Sequence, residues 1–150
     1  MRNNPHGPKP PGWFKEQSDG CSVPTRIGKF FLRAEQAREA CYVHDFEYYL
    51  TALQFHEGSG SWVGARHKAD YNLNLNRALV ARNRVIGWIY ARMYYRFVRL
   101  FGRFAMKAAP YLFMPPSLEA IAELEGYLRT PMTPKAQAQI AEWKGMYESA

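Results

Sequence analysis

The middle of this sequence has no acid: between Asp70 and Glu119 there is no Asp or Glu, while eight Arg or Lys occur there. With a formal net charge of +7, that absence favours anionic partners: phosphate headgroups, nucleic acid or acidic protein. Cysteine is scarce as well. Cys21 and Cys41 are the only two, too few for a zinc site of their own or a disulfide-rich scaffold. They are either two thiols or one bridge, which would close a loop of roughly 20 residues and contribute about 3 kcal/mol by chain entropy. There is no uncharged apolar run of about 18 residues, so no membrane-spanning helix is expected. Strand-type alternation and internal repeats are absent too. The opening M-R-N-N-P-H-G-P-K-P-P-G lacks the apolar stretch of a signal peptide, so classical secretion is not expected.

What is there reads as helix. The chain has 150 residues, 47% of them apolar, enough for one compact core. Residues 1–13 carry four Pro and two Gly and read as a flexible or polyproline-like arm. Residues 14–28 are rich in turn formers and read as a loop. A first helix is expected over about 34–53, with Ala37, Cys41, His44 and Tyr48 on one face. A break at 55–61 separates it from a second helix over about 62–83. A third, over about 85–108, carries Arg92, Arg96, Arg99, Arg103 and Lys107 as one narrow stripe among aromatic and aliphatic residues. This pattern predicts a helix buried on most sides and wet on one. Ser117 opens a short helix to about Leu128, and Thr133-Pro134 caps a last one.

Two helices joined by a short break should lie antiparallel, which lets His44 face Asp70. A carboxylate fixes the tautomer and orientation of an imidazole and stabilises its charged form. Such a His can take a proton from water. Tyr48, one turn on, can reach the same carboxylate. Asp45 is rotated by about 100° from His44 and is free to bind a cation. Upstream, Asp19-Gly20-Cys21-Ser22 pairs a carboxylate with a flexible Gly whose carbonyl can point inward. Calcium takes oxygen ligands of this mixed kind.

The strings D-G-C-S at 19–22, A-C-Y-V-H-D-F-E-Y at 40–48, A-D-Y-N-L-N-L at 69–75 and Y-Y-R-F-V-R-L-F-G at 94–102 occur in order over about two thirds of the chain. Together they resemble the prokaryotic and fungal branch of the secreted phospholipase A2 superfamily. They are also similar to a family of small uncharacterised phage and prophage proteins that look like trimmed relatives of that fold. The resemblance implies an all-α fold: two antiparallel catalytic helices behind a calcium loop, then an aromatic and basic helix. Residues 14–109 would form this domain, with 110–150 as a C-terminal helical extension.

The resemblance also implies roles. His44 would be the general base, Asp70 its orienting acid and Tyr48 the support. Asp19, the Gly20 carbonyl and Asp45 would hold Ca2+. Cys21 and Cys41 would form the bridge that joins the calcium loop to the first catalytic helix. The expected activity is calcium-dependent hydrolysis of a glycerophospholipid ester by activated water, at a phospholipid or membrane surface that the Arg92–Lys107 stripe could contact. The alternative is a phage virion structural or assembly protein that keeps the fold without catalysis. Its N-terminal arm and C-terminal helices would then dock to virion subunits. Either reading favours host cytoplasm or virion over classical secretion.

Other readings have less behind them. Nucleic-acid binding fits the charge, but no motif supports it. A transition-metal site from His56, His67, His44 and Asp70 has irregular spacing. A phosphohydrolase of the His-Asp domain class needs further ligands that are not evident.

Overall fold

The computed structural model describes residues 6–18, 34–79 and 84–150. Among these residues there are six helices and no strand: α1 Gly12–Gln17, α2 Ala34–Gln54, α3 Gly60–Leu79, α4 Arg84–Leu112, α5 Leu118–Glu125 and α6 Pro134–Glu148. The all-α class is as expected. No helix among the described residues is long and apolar enough to cross a membrane.

Local chemistry sets the ends of these helices. The Ser59 hydroxyl accepts from the Trp62 amide at 3.2 Å and starts α3. Ser117 caps α5 through the Ala120 amide at 3.1 Å. Thr133 caps α6 through the Ala136 amide at 3.3 Å, with Pro134 at the first helical position. Each such cap contributes about 1 kcal/mol. The Thr133 hydroxyl also donates to the Gln54 carbonyl at 2.6 Å, tying the start of α6 to the end of α2.

α2 is used on two sides. Its Phe46, Tyr49, Leu50 and Leu53 enter a core with Phe14 of α1 and with Ile121, Leu124, Ala136, Ile140 and Trp143 of α5 and α6. The other side meets α3 and α4. Tyr48 and Ala52 pack there with Trp62, Ala69 and Met106, and Ala40 packs with Leu73 and Val98. α2 and α3 run antiparallel: Cys41 meets Arg77 near one end and His44 meets Asp70 further along. The C-terminal helices therefore bury their apolar residues in the same core as α2.

Three expectations need correction. First, the stretch expected as loop begins with α1, which the sequence hides behind Pro11 and Gly12 because six residues are too few to show a period. From His6 onward the expected arm is also held in place. His6 exchanges two backbone hydrogen bonds with the Asn76 side chain, at 3.2 and 2.7 Å, and the Lys9 carbonyl accepts from the Tyr127 hydroxyl at 2.7 Å. Gly7 has φ of 100°, and a Cβ there would stand 2.5 Å from Val43 Cγ1, so only Gly fits this approach.

Second, α4 runs four residues beyond its expected end. Pro110 sits in its last turn, where a proline interrupts the helix less than it would in the interior, because few helical bonds remain to be made beyond it. Third, part of the α4 surface expected to be buried is exposed. Among its described side chains Ala91, Val98, Gly102, Met106 and Ala109 are buried, whereas Met93, Leu100 and Phe104 are 66%, 70% and 61% exposed; Tyr90, Tyr94, Phe97 and Phe101 lie outside the described side chains. α4 meets α2 and α3 through the buried residues, and Met93, Leu100 and Phe104 find no cover among the described residues.

Candidate active site

Asp70 lies at the centre of the α2–α3–α4 layer and is fully buried. Its two oxygens have different partners. Oδ1 is 2.9 Å from His44 Nε2 and accepts from the Tyr48 hydroxyl. Oδ2 accepts from Arg99 Nη1 at 2.9 Å. The Nε of Arg66, one turn earlier on α3, stands 4.0 Å from the same oxygen.

A buried carboxylate is costly unless it is paired and hydrogen-bonded, and these partners supply that. Burial pushes the Asp70 carboxyl up, but the bonds from His44, Tyr48 and Arg99 outweigh it and hold its pKa below the ordinary value. Asp70 is therefore ionised and can only accept, so His44 carries its proton on Nε2. That leaves Nδ1 as the basic nitrogen.

Nδ1 looks toward Asp45, whose Oδ1 is 3.8 Å away. This is too far for a direct hydrogen bond. The Asp45 carboxylate is about one third exposed, and its Oδ2 accepts from the Ser18 hydroxyl at 3.1 Å. Burial lowers the proton affinity of His44, but the Asp45 and Asp70 carboxylates reverse that and leave its pKa above the ordinary 6.5. Burial and the neighbouring Asp70 charge raise the Tyr48 pKa strongly, so Tyr48 stays a hydrogen-bond donor.

The sequence expectations divide accordingly. His44, Asp70 and Tyr48 come together. Asp45 lies beside them with its carboxylate accessible. Asp19, Gly20 and Cys21 lie outside the described residues. Cys41 is disulfide-bonded. Among the described residues no group of three or more His, Cys, Asp or Glu is placed to hold a metal. Of the expected calcium ligands only Asp45 lies among the described residues, and its carboxylate is an oxygen donor of the kind calcium takes. His56 and His67 are exposed, apart from buried His44 and Asp70, so they make no four-residue cluster.

Three residues were not anticipated in the site. Arg99 was expected on the outer stripe, but its guanidinium turns inward to Asp70. The helical wheel held a hint, since Arg99 is the stripe member nearest the inner face set by Val98 and Gly102. Arg66 gives its Nη2 to the backbone carbonyls of Val98 and Arg99, at 3.0 and 2.6 Å, and joins α3 to α4 just where Arg99 leaves the backbone. Gly102 packs against Tyr48, and a Cβ there would overlap the phenol oxygen. The Phe-Gly pair at 101–102 was noted in the sequence, but not the contact that requires it.

A cavity of about 430 Å³ opens at the far end of α2, lined by Leu53, Trp62, Lys107, Pro110 and Lys135 among others. It does not include His44 or Asp70. No protein-family model, curated protein or solved structure matches the chain.

Proposed function

We propose that the chain is a phospholipase A2-like hydrolase that cleaves a glycerophospholipid ester with a water activated by His44. The observation that carries this reading is the buried His44–Asp70–Tyr48 network, with the free ring nitrogen of His44 directed to the side where the Asp45 carboxylate is accessible. The motif resemblance supports the same assignment.

In this reading His44 Nδ1 takes a proton from water as the oxygen attacks the ester carbonyl. The imidazolium that forms is stabilised by Asp70, and the ring cannot rotate because Nε2 stays on Oδ1. Tyr48 and Arg99 keep Asp70 in place throughout. The proton then passes from Nδ1 to the departing alkoxide, which returns His44 to its starting form. No covalent intermediate with the protein is needed. Asp45, Asp19 and the Gly20 carbonyl would hold calcium, whose charge would polarise the ester carbonyl and stabilise the oxyanion.

The test is release of fatty acid from phospholipid vesicles with calcium and with a chelator. Wild type should hydrolyse only with calcium, and His44→Ala should lose at least about a hundredfold, the range of general-base catalysis, with unchanged circular dichroism. Calcium should raise the melting temperature of wild type, and less so that of Asp45→Asn. Wild type that releases no fatty acid on any glycerophospholipid would defeat the proposal and leave the non-catalytic assembly reading.

A further inference from the structure

The outward half of α4 is the least expected surface of the molecule. Ile89, Met93, Leu100 and Phe104 are between 48% and 70% exposed. At 100° per residue they fall within an arc of about 60°. Arg92, Arg96, Arg103 and Lys107 are also exposed and fill the neighbouring arc of about 60°. The Arg103 guanidinium lies over the Phe104 ring at 4.9 Å, so the two stripes touch. Apolar side chains exposed in a row this long are rare on a monomer surface without a partner.

We propose that this face docks in the plane of an anionic lipid bilayer. The apolar stripe would enter the acyl boundary, with the cationic stripe at the phosphate level. Three observations favour a lipid surface over other occupants. The stripe runs about 22 Å along a single helix, which suits a helix lying in the interface to a depth of about 5–10 Å. The charge that α4 itself places beside the stripe is all cationic, with no acid between Asp70 and Glu119; Lys107, at its end, pairs with Glu57 at 3.1 Å, and Arg92, Arg96 and Arg103 carry the rest. A second copy laid on this face would bring its own cations against these and supply no carboxylate from its α4.

The face also adjoins the catalytic centre. Arg99 stands between the cationic stripe and the inner face and is the residue that holds Asp70. A bilayer on α4 would thus lie about one helix diameter from the dyad. In that sense the inference rests on the lipid-hydrolase reading and names the surface by which the lipid is met. Binding and turnover are nevertheless read separately.

The experiment is co-sedimentation of the full chain with vesicles of ether-linked phospholipid, which cannot be hydrolysed. Phosphatidylcholine vesicles are compared with ones that also contain phosphatidylglycerol, at low and high salt. Wild type and His44→Ala should both bind the anionic vesicles at least about tenfold more tightly than the neutral ones, and high salt should weaken the binding. Leu100→Glu/Phe104→Glu and Arg96→Glu/Arg103→Glu should each lose about tenfold or more, with melting temperatures near wild type because the replaced side chains are exposed. Leu100→Ser/Phe104→Ser serves if the glutamates disturb folding.

Equal binding to both vesicle types, no binding to either, or full binding by the double variants would overturn the proposal. So would a concentration-dependent dimer that Leu100→Ser/Phe104→Ser dissolves in the absence of lipid. Binding as expected, with no turnover of ester-linked vesicles by wild type, would retire the hydrolase reading and leave the docking face standing.

Discussion

The guanidinium of Arg99, on α4, sits 2.9 Å from the oxygen of Asp70 that His44 does not use. One carboxylate thus serves His44 through one oxygen and Arg99 through the other, and the helix that carries the basic stripe is also a wall of the dyad. Arg99→Met removes one of these groups and leaves the buried charge short of a donor. Breaking a buried pair costs about 3–5 kcal/mol. Partial exposure of Arg99 reduces this to about 2–3 kcal/mol, readable by urea denaturation. Arg99→Lys should recover part of it, because a point charge replaces the fork but not its geometry.

Gly102 and Tyr48 should show strong non-additivity. Gly102→Ala places a methyl against the phenol oxygen and should cost about 1–3 kcal/mol by overpacking. Tyr48→Phe removes a bond to a charged acceptor, about 1.5–3 kcal/mol. The double variant Gly102→Ala/Tyr48→Phe should be more stable than the sum of the two allows, since deleting the hydroxyl makes room for the methyl. A double-mutant cycle by thermal or urea unfolding measures this, and simple additivity would show that the two residues do not meet.

pH should act in two separate windows. His44 has its folded pKa raised above 6.5, so its stabilising contribution is complete below about pH 6.5 and is lost as pH rises through the raised value. Hydrolysis requires the neutral ring, so the rate should climb on the alkaline side of pH 6.5 as that stability is lost. Asp70 has its folded pKa lowered. Its contribution is present above about pH 3.9 and is lost as pH falls through the lowered value. Asp70→Asn should flatten the acid limb of the stability curve, measured as melting temperature against pH. A rate that falls between pH 6.5 and 8 would contradict the assignment of His44 as base.

Phe14 tests whether the N-terminal helix belongs to the core. It is fully buried, with ring centroids 5.0 Å from Phe46 and 4.5 Å from Phe113. Phe14→Ala should cost about 3–5 kcal/mol, the usual penalty for a buried ring, as a lower midpoint in denaturant with an unchanged slope. A loss under about 1 kcal/mol would mean that α1 is a surface appendage.

Much of the helical layout was legible from the sequence because the long helices carry their own signals. The span of α2 was expected to within a residue, Ser117 and Thr133 marked two starts, and the turn formers at 55–61 placed the break before α3. Antiparallel geometry allowed His44 to face Asp70, and the motif resemblance singled the pair out. Less legible was anything decided by which neighbour a helix finds. α2 has little amphipathic pattern because both of its sides are covered, one by α5 and α6 and the other by α3 and α4. The apolar residues of α4 suggested burial, but composition cannot say that Met93, Leu100 and Phe104 find no cover among the described residues. The inward turn of Arg99 is a rotamer choice made by Asp70, and no local pattern encodes it.

The basic residues of α4 recur almost every turn, which would let the helix slide. A shift of one turn would carry Arg103 to Asp70, a cation replacing a cation at little electrostatic cost. The same shift would bring Met106 to the place of Gly102 beside Tyr48, where no side chain fits. The glycine thus acts as a notch on an otherwise repetitive rod: charge attracts the helix to the acid, and the missing methyl selects which of several equivalent teeth engages.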